Sequence, residues 1–121
     1  MGERRGGGRR PRRGPGVRDR RLCEQVRHAL EYALSGESND DLLRMLYVAR
    51  VDPAPDVDRL MVTVVPLTKD ERPDPAAVIA RLHAHTGALR SAVAAAISRR
   101  KVPELMYQYS ETDPSASGEE E

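Results

Sequence analysis

A chain of 121 residues accommodates one domain with tails, and with no Phe, no Trp and only 3% aromatic residues its core must come from Leu, Val, Ile, Ala and Met. Such a core is thin, so marginal stability is expected. The net charge of +1 conceals a polarity: residues 1–21 carry a net of +7, residues 22–109 a net of −1 and residues 110–121 a net of −5.

The single cysteine, Cys23, excludes an internal disulfide and fits a reducing compartment. No apolar run approaches the roughly 18 residues that span a membrane. Residues 1–16, MGERRGGGRRPRRGPG, hold almost nothing that could be buried, so a disordered tail is expected over 1–17. Arg/Gly-rich segments hold polyanions by charge and by stacking of guanidinium planes on bases. The plainer alternative is a solubilising extension. No apolar segment follows these arginines, as a signal peptide requires, and a cytoplasmic protein is the expectation.

From about Arg18 the spacing predicts a helix with Leu22, Val26, Ala29, Leu30 and Ala33 as its apolar stripe and Gly36 as its stop. Cys23 and Tyr32 flank the stripe, and Arg21, Glu24, Arg27, His28 and Glu31 occupy the other face. Glu37–Leu43 is polar, with Asn39-Asp40-Asp41 favouring a loop or a cap. A strand follows over Met45–Asp52, setting Leu46 and Val48 against Tyr47, Ala49 and Val51, and Pro53 should end it. A second strand, Arg59–Val65, is apolar on both faces at its centre. The six residues between the strands are too few for a parallel crossover, so the pair is expected to be an antiparallel hairpin. Pro66–Pro73 reads as a polar loop.

Asp74 followed by Pro75 reads as an N-cap with proline at the first helical position. Val78, Leu82, Leu89, Val93 and Ile97 then recur at helical spacing, interrupted by Gly87, which marks a kink or a close approach. The expectation is one helix to about Thr86, a break at Gly87 and a second helix to about Arg99. Pro103 disfavours the α region for Val102, and Leu105, Tyr107 and Tyr109 beyond it alternate as in a strand. Ser110–Glu121 is acidic and expected to be disordered. The result is an α+β domain over 18–109, ordered α-β-β-α-kink-α-β with a three-stranded sheet, between disordered charged tails at 1–17 and 110–121.

His85-Thr86-Gly87, Ala88, Leu89-Arg90-Ser91 and, a helix-length later, Val102-Pro103-Glu104-Leu105 form a pattern that resembles the ribosome-binding factor A family. The resemblance covers about residues 18–109 and is most specific over 85–107. It implies a type II KH-like fold. Ordinary KH domains grip single-stranded nucleic acid with a Gly-x-x-Gly loop between two helices. This chain has His85-Thr86-Gly87 there instead, as the family's helix–kink–helix requires.

Catalysis finds little support. His83 and His85 are two apart and diverge on a helix, Cys23 is remote, and no phosphate loop or dinucleotide fingerprint occurs. No enzyme activity, metal or cofactor is expected. Binding finds more. Ser91, Ala94, Ala95 and Ser98 form a small outer face on the last helix, with Arg90, Arg99, Arg100 and Lys101 on or beyond it. Small residues with flanking cations let a phosphate backbone approach closely, although alanine is also the best helix former and cations suit any helix C-terminus. The resemblance favours an rRNA contact at the kink residues His85, Thr86 and Gly87 and at Arg90, Arg99, Arg100 and Lys101, with Arg21 and Arg27 of the first helix as the next candidates. It implies a monomeric assembly factor that binds the free small (30S) ribosomal subunit and assists late maturation of its 16S rRNA, without a membrane partner. The alternative from another class is a KH-like RNA-binding or protein–protein adaptor not tied to the ribosome.

Overall fold

The computed structural model describes residues 17–37, 40–70, 72–98 and 101–113. Helix α1 spans Val17–Tyr32, strands β1 and β2 span Leu46–Pro53 and Arg59–Pro66, helices α2 and α3 span Pro75–Ala84 and Thr86–Ala96, and strand β3 spans Glu104–Tyr109. The α+β order expected from the sequence is therefore present, with a three-stranded sheet in the order β1-β2-β3.

α1 buries Val26 and Leu30, and Cys23 joins them at 7% exposure rather than flanking the stripe. The helix does not stop at Gly36. It widens into a π-helical turn over Ala33–Glu37, which brings consecutive Ala33 and Leu34 into the core. A short 3₁₀ turn, Leu43–Met45, then leads into β1.

β1 and β2 pair antiparallel from Leu46↔Pro66 to Pro53↔Leu60, closing the expected hairpin. Their register shifts between Val48 and Arg50, where a bulge inserts one residue. Strict alternation sets Val51 opposite Leu46 and Val48. The inserted residue reverses the phase, so Leu46, Val48 and Val51 are all buried. β3 runs parallel to β2, from Arg59↔Glu104 to Val64↔Tyr109. As the middle strand, β2 is buried on both faces. Its one buried polar side chain, Thr63, accepts a hydrogen bond from Gln108 Nε2 at 2.9 Å.

Pro75 opens α2 as expected. Asp74 caps it with its carbonyl, which accepts the Val78 N–H at 3.0 Å, and its side chain makes no cap bond. The break between α2 and α3 is one residue long and falls at His85 (φ −102°, ψ 10°), two residues before the expected position. Gly87 lies inside the first turn of α3. The last helix ends at Ala96, before the expected Arg99, because Ile97 turns extended. Val78, Leu82, Leu89 and Val93 pack with the α1 stripe and with Leu60, Val62, Val64, Leu105 and Tyr107 into one core built mostly of Leu and Val.

Beyond β3, the Ser110 N–H donates to Val64 O at 3.0 Å. The Tyr47 hydroxyl meets Asp113 Oδ2 at 2.9 Å, and Arg72 Nη1 meets Glu111 Oε1 at 3.0 Å. The described start of the acidic segment is thus held to the sheet and to the loop before α2. The Arg/Gly-rich segment 1–16 and residues 114–121 lie outside the described residues.

Candidate nucleic-acid interface

The kink is fastened from two sides. Asp40, in the loop before β1, is only 8% exposed and accepts the Leu42 and Leu43 N–H groups at 2.9 and 3.3 Å. The same carboxylate takes Arg81 Nη1 of α2 at 2.7 Å on both oxygens, and His85 Nε2 stands 3.3 Å from it. Burial pushes the Asp40 carboxyl up. The Arg81 hydrogen bond and the two backbone N–H groups outweigh burial and leave it below its ordinary value. On the other side, Thr86 Oγ1 and the Tyr107 hydroxyl of β3 lie 2.7 Å apart. The Tyr107 ring also meets His83 edge-on, at 5.2 Å between centroids. Burial raises the Tyr107 hydroxyl pKa.

These contacts divide the predicted residues by role. His85 and Thr86 are fasteners of the kink, held by Asp40 and Tyr107. Gly87 is exposed, and a Cβ built on it meets nothing within 4 Å. The close packing within the chain that glycine suggested is absent, and the first turn of α3 is open there to an approaching group. Arg90 is exposed, and its Nη2 donates to Val102 O at 3.1 Å, tying α3 to the segment that enters β3. Lys101 is exposed just before that segment. Arg99 and Arg100 lie outside the described residues. Ser91, Ala94, Ala95 and Ser98 are all exposed, forming the small outer face expected of α3.

The two arginines of α1 differ from each other. Arg21 is exposed, whereas Arg27 Nε donates to Glu24 Oε2 at 3.0 Å. That bond lowers the Glu24 carboxyl pKa and raises that of Arg27, so much of the Arg27 charge is answered within the helix. The structure therefore gathers His85, Thr86, Gly87 and Arg90 around the kink and the early turns of α3. Arg21 and Arg27 sit on α1, which packs beside α3.

Where α1 and α3 meet, an open groove of about 580 Å³ is lined by Gln25, His28, Ala29 and Tyr32 of α1 and by alanines of α3. Sequence reading passes over it. The helical spacing of Gln25, His28, Ala29 and Tyr32 marks a second face of α1, but only the packing of the two helices turns that face into a wall. Among the described residues, no group of three or more His, Cys, Asp or Glu side chains could hold a metal ion. Cys23 is buried, and burial pushes its thiol up to about 11. A thiol so raised is almost entirely protonated at neutral pH and a poor nucleophile.

The profile of the family described as "Ribosome-binding factor A" matches residues 18–119. The chain belongs to the ribosome-binding factor A family. Relatives bearing that name include a Methylobacterium radiotolerans protein, 37% identical over 108 residues, covering 86% of this chain and 73% of the relative. Another, from Brucella ovis, is 36% identical over 95 residues, covering 75% of this chain and 61% of the relative. The crystal structure of ribosome-binding factor A from Thermus thermophilus superposes with a TM-score of 0.63 over 75% of this chain and 94% of its own, at 22% identity, a likeness of fold. The KH-like α+β architecture expected from the sequence is the architecture of the ribosome-binding factor A family.

Proposed function

We propose that this chain is a ribosome-assembly factor that binds the free small (30S) ribosomal subunit in the cytoplasm and assists late maturation of its 16S rRNA. Family membership supports ribosome association, since the relatives are named for binding the ribosome. The observation that carries the finer reading is the rigidly fastened kink. Asp40 and Tyr107 hold His85 and Thr86 so that the open first turn of α3, its small outer face and Arg90 keep one fixed arrangement. A surface of this kind suits a phosphate backbone, because the first N–H groups of a helix lack intrahelical acceptors and small side chains permit close approach. A preformed surface also selects one rRNA conformation without the ordering cost that a floppy one incurs. The factor makes and breaks no bond in this account; it acts by binding, as a monomer.

Sucrose-gradient sedimentation of a tagged copy tests the reading. The protein should travel with free small subunits at low salt and be depleted from translating ribosomes. A protein found only at the top of the gradient would transfer the reading to an adaptor that works away from the ribosome.

A further inference from the structure

The groove between α1 and α3 is separate from the fastened kink, and its walls have a chemistry of their own. Its α1 wall is the ridge Gln25, His28, Ala29 and Tyr32, and its α3 wall is Ala92, Ala95 and Ala96. Tyr32 is one of two large hydrophobic side chains that stand exposed among the described residues, at 64%. Its ring is therefore available to a partner from the groove mouth. Gln25 brings an amide that both donates and accepts, and His28 an imidazole whose Nε2 stands 3.5 Å from Glu24 Oε2 and 3.4 Å from Arg27 Nη2. Among the described residues no carboxylate lines the groove, the nearest to its lining being Glu24, whose Oε2 stands 3.5 Å from His28 Nε2. Arg21, exposed and one helical turn before Gln25, extends the same ridge with a cation.

We propose that this groove receives one unpaired nucleobase of a single-stranded RNA segment, stacked on Tyr32, with Gln25 and His28 meeting its polar edge and Arg21 its backbone. An exposed aromatic ring beside a shallow alanine wall accommodates a flat ring, and base–aromatic stacking is how proteins hold single strands without reading much sequence. Charge selects the polyanion over an apolar peptide helix. Residues 1–21 carry nine arginines and a net of +7, and this stretch runs covalently into the α1 ridge. A protein helix docking on the same alanines would have to bury Gln25 and His28 and would gain nothing from that charge. The inference deepens the proposed function, from which it takes RNA as the partner.

The test uses the full chain and two fluorescein-labelled probes of about ten units, within the footprint of common single-strand binders. One is a mixed-sequence unpaired RNA, and the other is an abasic ribose-phosphate strand of equal length. The intact protein should prefer the base-bearing probe. Tyr32→Ala should weaken that probe by about 5- to 150-fold and leave the abasic affinity unchanged, whereas Tyr32→Phe should stay within about twofold of the parent. Ala95→Leu, which fills the α3 wall, should act like Tyr32→Ala. Equal affinity of the intact protein for both probes, or a Tyr32→Ala variant that keeps the preference, overturns the groove assignment. So does a concentration-dependent dimer that Tyr32→Ala dissolves, since a second copy of the chain would then be the occupant. Sedimentation with small subunits, run on the same preparations, judges the proposed function separately. An intact protein that fails to sediment yet loses base preference on Tyr32→Ala would remove the ribosome and leave the groove.

Discussion

Replacing Asp40 by alanine removes the acceptor on which one side of the kink depends. The Leu42 and Leu43 N–H groups lose their side-chain acceptor, and Leu43 is buried. By analogy with loss of a helix cap this costs about 1 kcal/mol. The Arg81–Asp40 pair adds less than its 2.7 Å geometry suggests, because the Arg81 side chain is 51% exposed and solvent screens it; roughly 0.5 kcal/mol is appropriate. A loss of about 1.5–2 kcal/mol in a domain of this size lowers the melting temperature by roughly 6–16 °C. Thermal unfolding followed by circular dichroism measures it directly.

The pH dependence supplies a second arm. The folded Asp40 carboxyl is held below its ordinary value of 3.8, so between the two values the unfolded chain binds the extra proton and stability rises with pH. The contribution is complete above the unfolded pKa and is lost as pH falls through the lowered folded one. Asp40→Asn does not titrate there. The urea midpoint of the parent should therefore exceed that of Asp40→Asn most at neutral pH, and the gap should close as the solution is taken below about pH 4. A melting temperature within about 2 °C of the parent for Asp40→Ala, or a gap to Asp40→Asn that persists unchanged to low pH, would refute the clip.

Two further outcomes follow from the same geometry. Gly87→Ala should raise stability by about 0.5–1 kcal/mol in denaturant melts, since Gly87 is helical and an added Cβ meets nothing within 4 Å; a loss instead would mean that the position is under strain the structure does not show. The double variant Arg90→Gln, Lys101→Gln should bind small subunits more weakly with a flatter salt dependence, while losing at most about 1 kcal/mol of stability through the Arg90–Val102 bond. Unaltered affinity and salt slope would remove the end of α3 from the contact surface.

Elements set by local periodicity were legible in the sequence. The α1 stripe, the hairpin, the Asp74-Pro75 helix start and the alternation of Leu105, Tyr107 and Tyr109 all follow from spacing; the structure buries Val26, Leu30, Ala33, Leu105 and Tyr107 and leaves Leu22, Ala29 and Tyr109 half-buried. The misplaced break has its cause in partners distant in sequence. Gly87 carries the local signal for a break, yet the chain breaks at His85. There an Asp40 carboxylate from the loop before β1 and a Tyr107 hydroxyl from β3 hold the two residues at the corner. Propensity at one glycine is worth about 1 kcal/mol, and such tertiary contacts override it. Likewise no local rule places the bulge beside Ala49, which reverses the alternation and sends Val51 inward.

The candidate site divides along the same line. Composition marks its cations, but charge alone does not separate Arg27, answered by Glu24, from Arg21, which stands exposed on the groove ridge. Nor does it reveal that Arg90 spends a donor on Val102 O, fastening the segment that delivers β3 to the sheet. A basic residue becomes a contact only through what its neighbours leave unanswered, and that is a property of the packed surface. By this criterion Arg21 and Lys101 offer more free charge than Arg27. Tyr32, beside the apolar stripe in the sequence, stands exposed at the α1–α3 groove, a placement that only the packing of the two helices creates.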